Sequence, residues 1–261
     1  MESRASTGAA GRTALVSGAG NGLGRAIALE LGAAGARVVL AGRHLDTLEE
    51  THNLATAAGH QTRVAQIDVA DPMSVGAAAA ELADEEISIL INNAGVAGPV
   101  APLLEIEPNE WDAVFAVNVR GVYLMCRAFL PPMIKRGNGD IVNLASVSGK
   151  RPLAMRSPYC ASKMAVIGLT ITLGAEVGTA GVRVNSLSPG PVRGPRMDRN
   201  FRLESERLGI TIAEAERMFT SRAALGRLVE ESEVGLAVVA MLSMPGLHCA
   251  DIDLSAGMVA R

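Results

Sequence analysis

Three side chains near the middle of the chain have the types and spacing of a proton-transfer site. Tyr159 precedes Lys163 by four residues, so a helix would place the phenol and the ammonium group on one face, one turn apart. Ser146 ends an apolar run thirteen residues before Tyr159. A phenol has an ordinary pKa of about 10, and a nearby cation favours its ionised form. We therefore interpret Tyr159 as a general acid/base, Lys163 as its electrostatic partner and Ser146 as a donor to a substrate oxygen.

A glycine-rich segment near the N-terminus has the composition of a phosphate-binding loop. Ser17-Gly-Ala-Gly-Asn-Gly-Leu-Gly24 lies between an apolar run and a stretch with helical periodicity. The simple Gly-x-Gly-x-x-Gly pattern fails because Leu23 occupies its third glycine, but Gly18-x-x-x-Gly22-x-Gly24 fits a longer loop. Such a loop lets the backbone approach a pyrophosphate at a helix N-terminus. Taken alone, it is equally consistent with a tight strand–helix turn.

The pattern of the whole chain predicts the elements that position these residues. Predicted strands lie at 13–17, 37–41, 63–67, 87–91, 141–144, 182–188 and 251–254. Helix-period stretches lie between them at 22–34, 46–58, 72–86, from Pro108 to about Pro131-Pro132, and at 157–178 and 230–242. This alternation predicts an α/β domain in which helices cover both faces of a doubly wound parallel sheet of about seven strands. We expect one domain over 12–261, preceded by a flexible tail over 1–11.

The segment at about 194–226 has no strand pattern and is rich in arginine and glutamate, so we predict a lid over the site. Residues that are mostly small or polar follow six of the strands, at Gly18, Gly42-Arg43, Asp68-Val69, Asn92–Gly95, Ser146 and Pro189-Gly190. Ligands of open parallel sheets bind beyond the carboxyl ends of the strands, so these six ends are expected to converge on one crevice. The alternative is six ordinary turns.

The end of the second predicted strand bears on the choice of a nicotinamide cofactor. An acidic residue there would bind the adenosine ribose of NAD. This chain has Gly42, which leaves room for a 2′-phosphate, and Arg43, which supplies a counter-charge. We therefore favour NADP over NAD. In the alternative interpretation, Arg43 is a solvated loop residue.

Composition excludes several other classes of protein. The 261 residues are 49% hydrophobic and carry a net charge of −3 without a block of like charge, which gives no support for binding to nucleic acid or an anionic membrane surface. No apolar run approaches the ~18 residues of a membrane span. Three widely spaced cysteines and four histidines without ligand spacing predict reduced thiols and no metal site. We expect a cytoplasmic protein with a small-molecule partner.

With these residues in hand, the chain resembles the classical short-chain dehydrogenase/reductase family over roughly 12–260, in the manner of a 3-oxoacyl-ACP reductase. The glycine loop, Asn-Asn-Ala-Gly at 92–95, Ser146, Tyr-x-x-x-Lys at 159–163 and Pro189-Gly190 carry the resemblance. The resemblance implies a Rossmann fold and reversible hydride transfer between a nicotinamide cofactor and a carbonyl or secondary alcohol. It adds Asn118 to the catalytic residues as part of a proton relay. The cofactor contacts we predict are Gly18, Asn21, Gly22, Leu23, Gly24, Arg43, Asp68, Val69, Asn92, Ala94, Gly95, Tyr159, Lys163, Pro189, Gly190 and Val192.

The chain departs from the sequence pattern of the family at two places. Gly194 stands where the family often has a threonine that contacts the cofactor, and His248-Cys249-Ala250 replaces a Thr-Gly-Gln segment. A catalytically weak NADP(H)-binding sensor or scaffold is one alternative function, and a nucleotide-sugar epimerase or dehydratase is another.

Apolar residues on more than one face of the helices at 108–131 and 157–178 predict a homotetramer, with a homodimer as the alternative.

A last hypothesis concerns the arginines of the lid. Arg193, Arg196, Arg199 and Arg202 recur every three residues, and Arg156 lies three residues before Tyr159. Guanidinium groups in this place suit a substrate carboxylate or phosphate. The competing interpretation is a solvated lid whose arginines pair with Glu204, Glu206, Glu214 and Glu216.

Overall fold

In the computed structural model, which describes residues 8–151 and 153–259, seven parallel strands form one sheet in the order β3-β2-β1-β4-β5-β6-β7. The strands are β1 (Thr13–Ser17), β2 (Arg37–Gly42), β3 (Thr62–Gln66), β4 (Ile87–Asn92), β5 (Gly139–Leu144), β6 (Val182–Pro189) and β7 (Asp251–Leu254). The order of the strands reverses between β1 and β4, which opens a crevice at their carboxyl ends. The predicted fold class is confirmed.

Helices cover both faces of the sheet, because strands β1 to β6 direct apolar side chains into two separate cores. The helices are α1 (Gly22–Ala33), α2 (Leu45–Ala57), α3 (Pro72–Glu81), α4 (Pro108–Phe115), α5 (Gly121–Arg136), α6 (Ser157–Val177), α7 (Pro195–Leu208), α8 (Ile212–Thr220) and α9 (Glu231–Leu242). Helices α3, α5 and α6 pack on one face, around Met125, Phe129 and Val166. Helices α1, α2 and α9 pack on the other.

The helix that begins at Pro108 does not end near Pro131-Pro132, as predicted, but continues to Arg136. Proline removes backbone hydrogen bonds inside a helix. Burial of Leu130 and Met133 in the core offsets that cost and holds the last turns in place. Between α4 and α5 the same helix contains a π-helical turn, Ala116–Arg120, of the kind that often lies at a functional site.

Residues 8–11, predicted to belong to the flexible tail, pack against the domain. The backbone N–H of Gly8 donates to Leu242, and that of Gly11 donates to Gly35. Arg12 reaches inward and forms a buried ion pair with Asp140, with 2.7 Å between the paired atoms. The domain therefore includes residues 8–11, while residues 1–7 of the predicted tail lie outside the described residues.

The predicted lid contains two helices, α7 and α8, which meet over the carboxyl edge of the sheet. Their shared core consists of Met197, Phe201 and Ala215, and Leu228 joins it from the segment after α8. The rings of Phe201 and Phe219 meet edge to face, with 5.4 Å between their centroids. The segment thus has an apolar core of its own, separate from the two cores of the sheet.

Two helical stretches, Pro108–Arg136 and Ser157–Ala180, are long and apolar enough to span a membrane by length and composition, each with a mean hydropathy of 1.4. Both pack on the sheet, where Phe129 and Val166 are among their buried residues. Core helices of α/β domains pass the same test. The expectation of a cytoplasmic protein without a membrane partner stays a prediction.

Candidate active site

A cleft of about 650 Å³ lies at the carboxyl ends of the strands, beneath the lid. It brings together most of the side chains and backbone segments that the sequence singles out. The predicted residues that line it are Gly18, Asn21, Gly22, Leu23, Gly24, Arg43, Asp68, Val69, Ala94, Gly95, Ser146, Tyr159, Lys163, Pro189, Gly190 and Val192. Asn92 and Asn118 do not line it.

The glycine loop between β1 and α1 has the geometry of an anion-binding turn. Gly18 and Gly22 adopt positive φ values of 69° and 51°, which side chains other than glycine rarely take. A Cβ on Gly24 would lie 2.0 Å from the carbonyl oxygen of Gly18, so glycine is required for the close packing of this turn. Asn21 at the N-cap makes no side-chain hydrogen bond to α1. The first N–H groups of α1 are therefore free of a side-chain cap and suit a phosphate.

The two consecutive asparagines at the end of β4, Asn92 and Asn93, have different roles. Asn92 points into the core, where its amide donates to Asn143 Oδ1 at 2.8 Å, and it does not reach the cleft. Asn93, which the sequence analysis did not select, lines the cleft and donates from Nδ2 to the carbonyl oxygen of Ser17 at 2.9 Å. Asn93 therefore joins the end of β4 to the glycine loop. The sequence signal that could have identified Asn93 is the Asn-Asn-Ala-Gly motif, in which it follows Asn92.

Asn118 lies at the centre of the π-helical turn and is 1% exposed. Its Oδ1 accepts from the N–H of Val96 at 2.8 Å, and its Nδ2 donates to Val96 O and to Ser162 Oγ. These contacts fix the segment after β4 against α6, one residue from Lys163. The structure gives Asn118 a positioning role, and the proton relay stays a prediction.

Ser146, Tyr159 and Lys163 all line the cleft, Ser146 just after β5 and the other two on α6. The ammonium nitrogen of Lys163 lies 5.9 Å from the centroid of the Tyr159 ring and donates to the carbonyl oxygen of Leu144 at 2.6 Å. Ser146 Oγ accepts from the N–H of Ser148 at 3.1 Å. That contact occupies a lone pair of the hydroxyl and leaves its hydrogen available to donate into the cleft.

Burial and, to a smaller extent, the positive charge of Arg196 lower the pKa of Lys163 to about 7. In the ligand-free protein, the Lys163 side chain therefore becomes protonated as the pH falls through about 7. An anion in the cleft would favour the protonated ammonium group and so extend the cation to higher pH.

The turn that follows Ser146 is anchored to the far edge of the sheet. Lys150 forms ion pairs with Asp251 and Asp253 of β7 and is largely buried between them. Asp251 also accepts hydrogen bonds from Ser186 and Ser188 of β6. This network fixes the loop that carries the candidate catalytic serine.

The opposite end of the cleft is lined by the end of β2 and the residues that follow it. Gly42, Arg43, His44 and Thr47 all border it. A Cβ on Gly42 would meet Leu48 at 3.4 Å, which is ordinary contact, so glycine is not required here by packing. An end of the cleft without an acidic side chain at Gly42 and with Arg43 beside it fits a phosphorylated ribose.

Comparison with known proteins agrees with this geometry. Residues 12–206 match the family described as short chain dehydrogenase. The chain belongs to that family. It is 32% identical over 247 residues to the uncharacterized oxidoreductase YxbG of Bacillus subtilis, which covers 94% of this chain and 89% of that protein. It is also 42% identical over 184 residues to the D-threitol dehydrogenase of Mycolicibacterium smegmatis, which covers 69% of each.

A solved variant of actinorhodin polyketide ketoreductase with NADPH superposes with a TM-score of 0.89 and 32% identity, covering 95% of this chain and 97% of that one. The predicted family and enzyme class, an NAD(P)-dependent oxidoreductase acting on CH–OH groups, are therefore confirmed. The resemblance to 3-oxoacyl-ACP reductases in particular stays a prediction.

The structure explains why this dehydrogenase has glycine at position 194. Gly194 has a φ of 146°, and a Cβ there would lie 2.6 Å from Oε1 of Glu231. The same carboxylate oxygen would lie 3.6 Å from a Cβ on Gly22, so it borders the glycine loop. Glu231, at the start of α9, is a lining residue that the sequence analysis missed, because no local pattern connects it with the loop.

Proposed function

We propose that this short-chain dehydrogenase transfers hydride reversibly between NADP(H) and a carbonyl or secondary alcohol, with Tyr159 as the general acid/base. The observation that carries the proposal is that Tyr159, Lys163 and Ser146 border the same cleft as the glycine loop with its uncapped helix. Bound nicotinamide supplies or accepts the hydride at its ring.

The chain's own residues supply the proton and the orientation. In the direction of reduction, Ser146 donates to the carbonyl oxygen and Tyr159 transfers its phenolic proton to the same oxygen. The Lys163 cation stabilises the phenolate that remains. Because Lys163 is tied to the end of β5 through Leu144, the cation is held close to the phenol.

The preference for NADP is supported by the absence of an acidic side chain at Gly42, which lines the cleft, and by the guanidinium of Arg43. It is also supported by the actinorhodin ketoreductase, which was solved with NADPH. Arg43 makes no ion pair within the described residues, so its charge is available to a 2′-phosphate. NAD is the alternative cofactor.

The experiment that tests the proposal is a panel of ketones and secondary alcohols assayed with each cofactor by the absorbance of the reduced nicotinamide. We expect turnover with at least one pair and higher kcat/KM with NADPH than with NADH. Cofactor binding without turnover across the panel would instead favour a sensor or scaffold. Product formation without net change in the nicotinamide would favour a non-redox reaction.

Glu231 provides a separate prediction about cofactor affinity. Its carboxylate borders the glycine loop, where a cofactor diphosphate would lie, so its negative charge should oppose binding. We expect Glu231→Gln to lower the Kd for NADP by about 3- to 10-fold at neutral pH, measured by calorimetry.

The matched control is Glu206→Gln, which removes an equal charge from the exposed side of α7. It should leave the Kd unchanged. A weaker affinity in Glu231→Gln would show that the carboxylate accepts a hydrogen bond from the cofactor instead of repelling it.

We also propose that the protein is a homotetramer in which α5 and α6 contact a second copy. Several large apolar side chains on these helices are exposed although the helices also cover the sheet, namely Tyr123, Ile134, Met164 and Ile171, at 41–48%. Burial against an identical surface would remove this apolar area from water. Light scattering at micromolar concentration should give about four times the 27.0 kDa of the chain. A monomer would rule out the interface, and a dimer would leave one helix pair as the contact.

A further inference from the structure

The catalytic end of the cleft carries an excess of positive charge. Arg156, at the N-cap of α6, lines the cleft within one helical turn of Tyr159. Arg196, in the first turn of α7, lines it from the lid and donates to the carbonyl oxygen of Gly95 at 3.2 Å. These residues place two guanidinium cations around the site where a substrate would meet Tyr159, and Lys163 adds a third positive charge when it is protonated.

No carboxylate within the described residues balances these charges. Asp68 and Glu231 are the acidic residues that line the described cleft, and they follow β3 and begin α9, beside the cofactor half. The ion pairs of the described chain include neither Arg156 nor Arg196. Arg156 is half-buried and Lys163 is buried, so their positive charges are unfavourable unless a ligand supplies a negative partner, whereas Arg196 is exposed to solvent.

Among the four regularly spaced lid arginines, Arg193, Arg196, Arg199 and Arg202, the ion pairs of the described residues include Arg193 alone. Arg193 pairs with Glu216 and Glu230. Glu204 pairs with Arg207 instead. The other two glutamates of the lid form no ion pair with Arg156 or Arg196 in the described residues: Glu214 caps α8 through Thr211, and Glu206 is exposed.

Arg156 is partly buried and is held in a defined position. Its Nη2 donates to Asn200 Oδ1 of α7 at 2.8 Å, which leaves its other N–H groups for a ligand. Burial lowers the pKa of this guanidinium, and the charges of Arg196 and Arg199 act in the same direction, whereas Tyr159 opposes them. The lid helix and the catalytic helix thus jointly present one oriented guanidinium to the cleft.

We propose that the substrate carries an anionic group, a carboxylate, sulfonate or phosphate, and that Arg156 and Arg196 bind it beside Tyr159. This inference rests on the proposed oxidoreductase function and names the class of substrate for the same site. A planar guanidinium can donate two parallel hydrogen bonds to such a group, which fixes the distance between the anion and the reacting carbonyl. Arg199 and Arg202, on the same helix, do not line the cleft.

The test compares 4-oxopentanoate with its neutral amide, 4-oxopentanamide, as substrates for reduction. We expect the wild-type protein to prefer the acid, and Arg156→Gln to lower the acid-to-amide ratio of kcat/KM by about 10- to 100-fold. Arg156→Lys should keep part of the wild-type acid-to-amide ratio, because lysine keeps the positive charge but lacks the planar guanidinium group. The matched control, Arg202→Gln, removes an exposed arginine of the lid and should keep the wild-type ratio. An unchanged ratio in Arg156→Gln overturns the inference.

A binding measurement separates this inference from the proposed function. Calorimetry of the NADP-loaded protein should show tighter binding of 4-oxopentanoate than of the amide, whether or not either compound is turned over. Equal binding would overturn the anion site while leaving the oxidoreductase function intact, and tighter binding of the acid without turnover would support the anion site alone.

The phosphates of the cofactor are a second source of anions near Arg196. A loss of NADP affinity in Arg156→Gln with an unchanged acid-to-amide ratio would assign the arginine to the cofactor and refute its role in substrate binding.

Discussion

Replacing Tyr159 by phenylalanine is expected to lower kcat by about 1,000-fold or more, the scale of general acid–base catalysis. The substitution removes only the hydroxyl group, and the ring stays packed beside Lys163. Ser146 would still orient the substrate, so the loss should fall on the transfer of the proton. Steady-state assays should therefore show a large decrease in kcat, with a small change in the Kd for the cofactor.

The chain offers a matched control, because it contains only two tyrosines. Tyr123 lies half-exposed on α5, away from the cleft, and Tyr123→Phe should leave kcat within a factor of about 2 of wild type. If Tyr159→Phe retained a tenth of the wild-type kcat, another group would have to donate the proton. Equal losses in both variants would point to damage to the fold.

Replacing Gly42 by aspartate is expected to reverse the choice of cofactor. The position accepts a side chain, because a Cβ there makes only ordinary contact with Leu48 and the φ of Gly42 is not positive. The new carboxylate would repel the 2′-phosphate of NADP beside Arg43 and accept a hydrogen bond from the free ribose hydroxyl of NAD. The ratio of kcat/KM for NADPH over NADH should fall by about 100-fold, which corresponds to about 2.7 kcal/mol.

A second aspartate variant separates this effect from the change in net charge. Gly76→Asp adds the same charge to an exposed position of α3 with no atom within 4 Å of the new Cβ. The ratio of the two cofactors should not change in that variant. A wild-type enzyme that already uses NADH as well as NADPH would contradict the assignment of Gly42 and Arg43.

The sequence determined the sheet and the end of it that carries the site. Buried strands and helix-period stretches alternate so regularly that their number and direction follow from the pattern, and β7 begins and ends where the pattern placed it. Because parallel strands bring their carboxyl ends to one edge, residues as distant as Gly18, Ser146 and Pro189 were expected to share a cleft, and they do. The proximity of Tyr159 and Lys163 follows from their sequence spacing alone, because four residues make about one helical turn.

Only the tertiary structure decided which of two neighbouring residues faces the cleft. Asn92 and Asn93 are identical in type, but consecutive side chains at the end of a strand point to opposite sides, so Asn92 enters the core and Asn93 lines the site. Neighbouring elements also override local preference, as the burial of Met133 shows by keeping Pro131-Pro132 inside a helix.

The placement and pairing of charged side chains in the site could not be predicted from the local sequence either. Glu231 lies more than two hundred residues from Gly22 in the sequence and borders the same loop in the fold. The pattern of lid arginines likewise did not indicate that Arg193 pairs with glutamates while Arg156 and Arg196 line the cleft. Local spacing fixes which residues share a face of one helix, whereas the pairing of charges depends on which helices meet, and packing of the whole chain sets that.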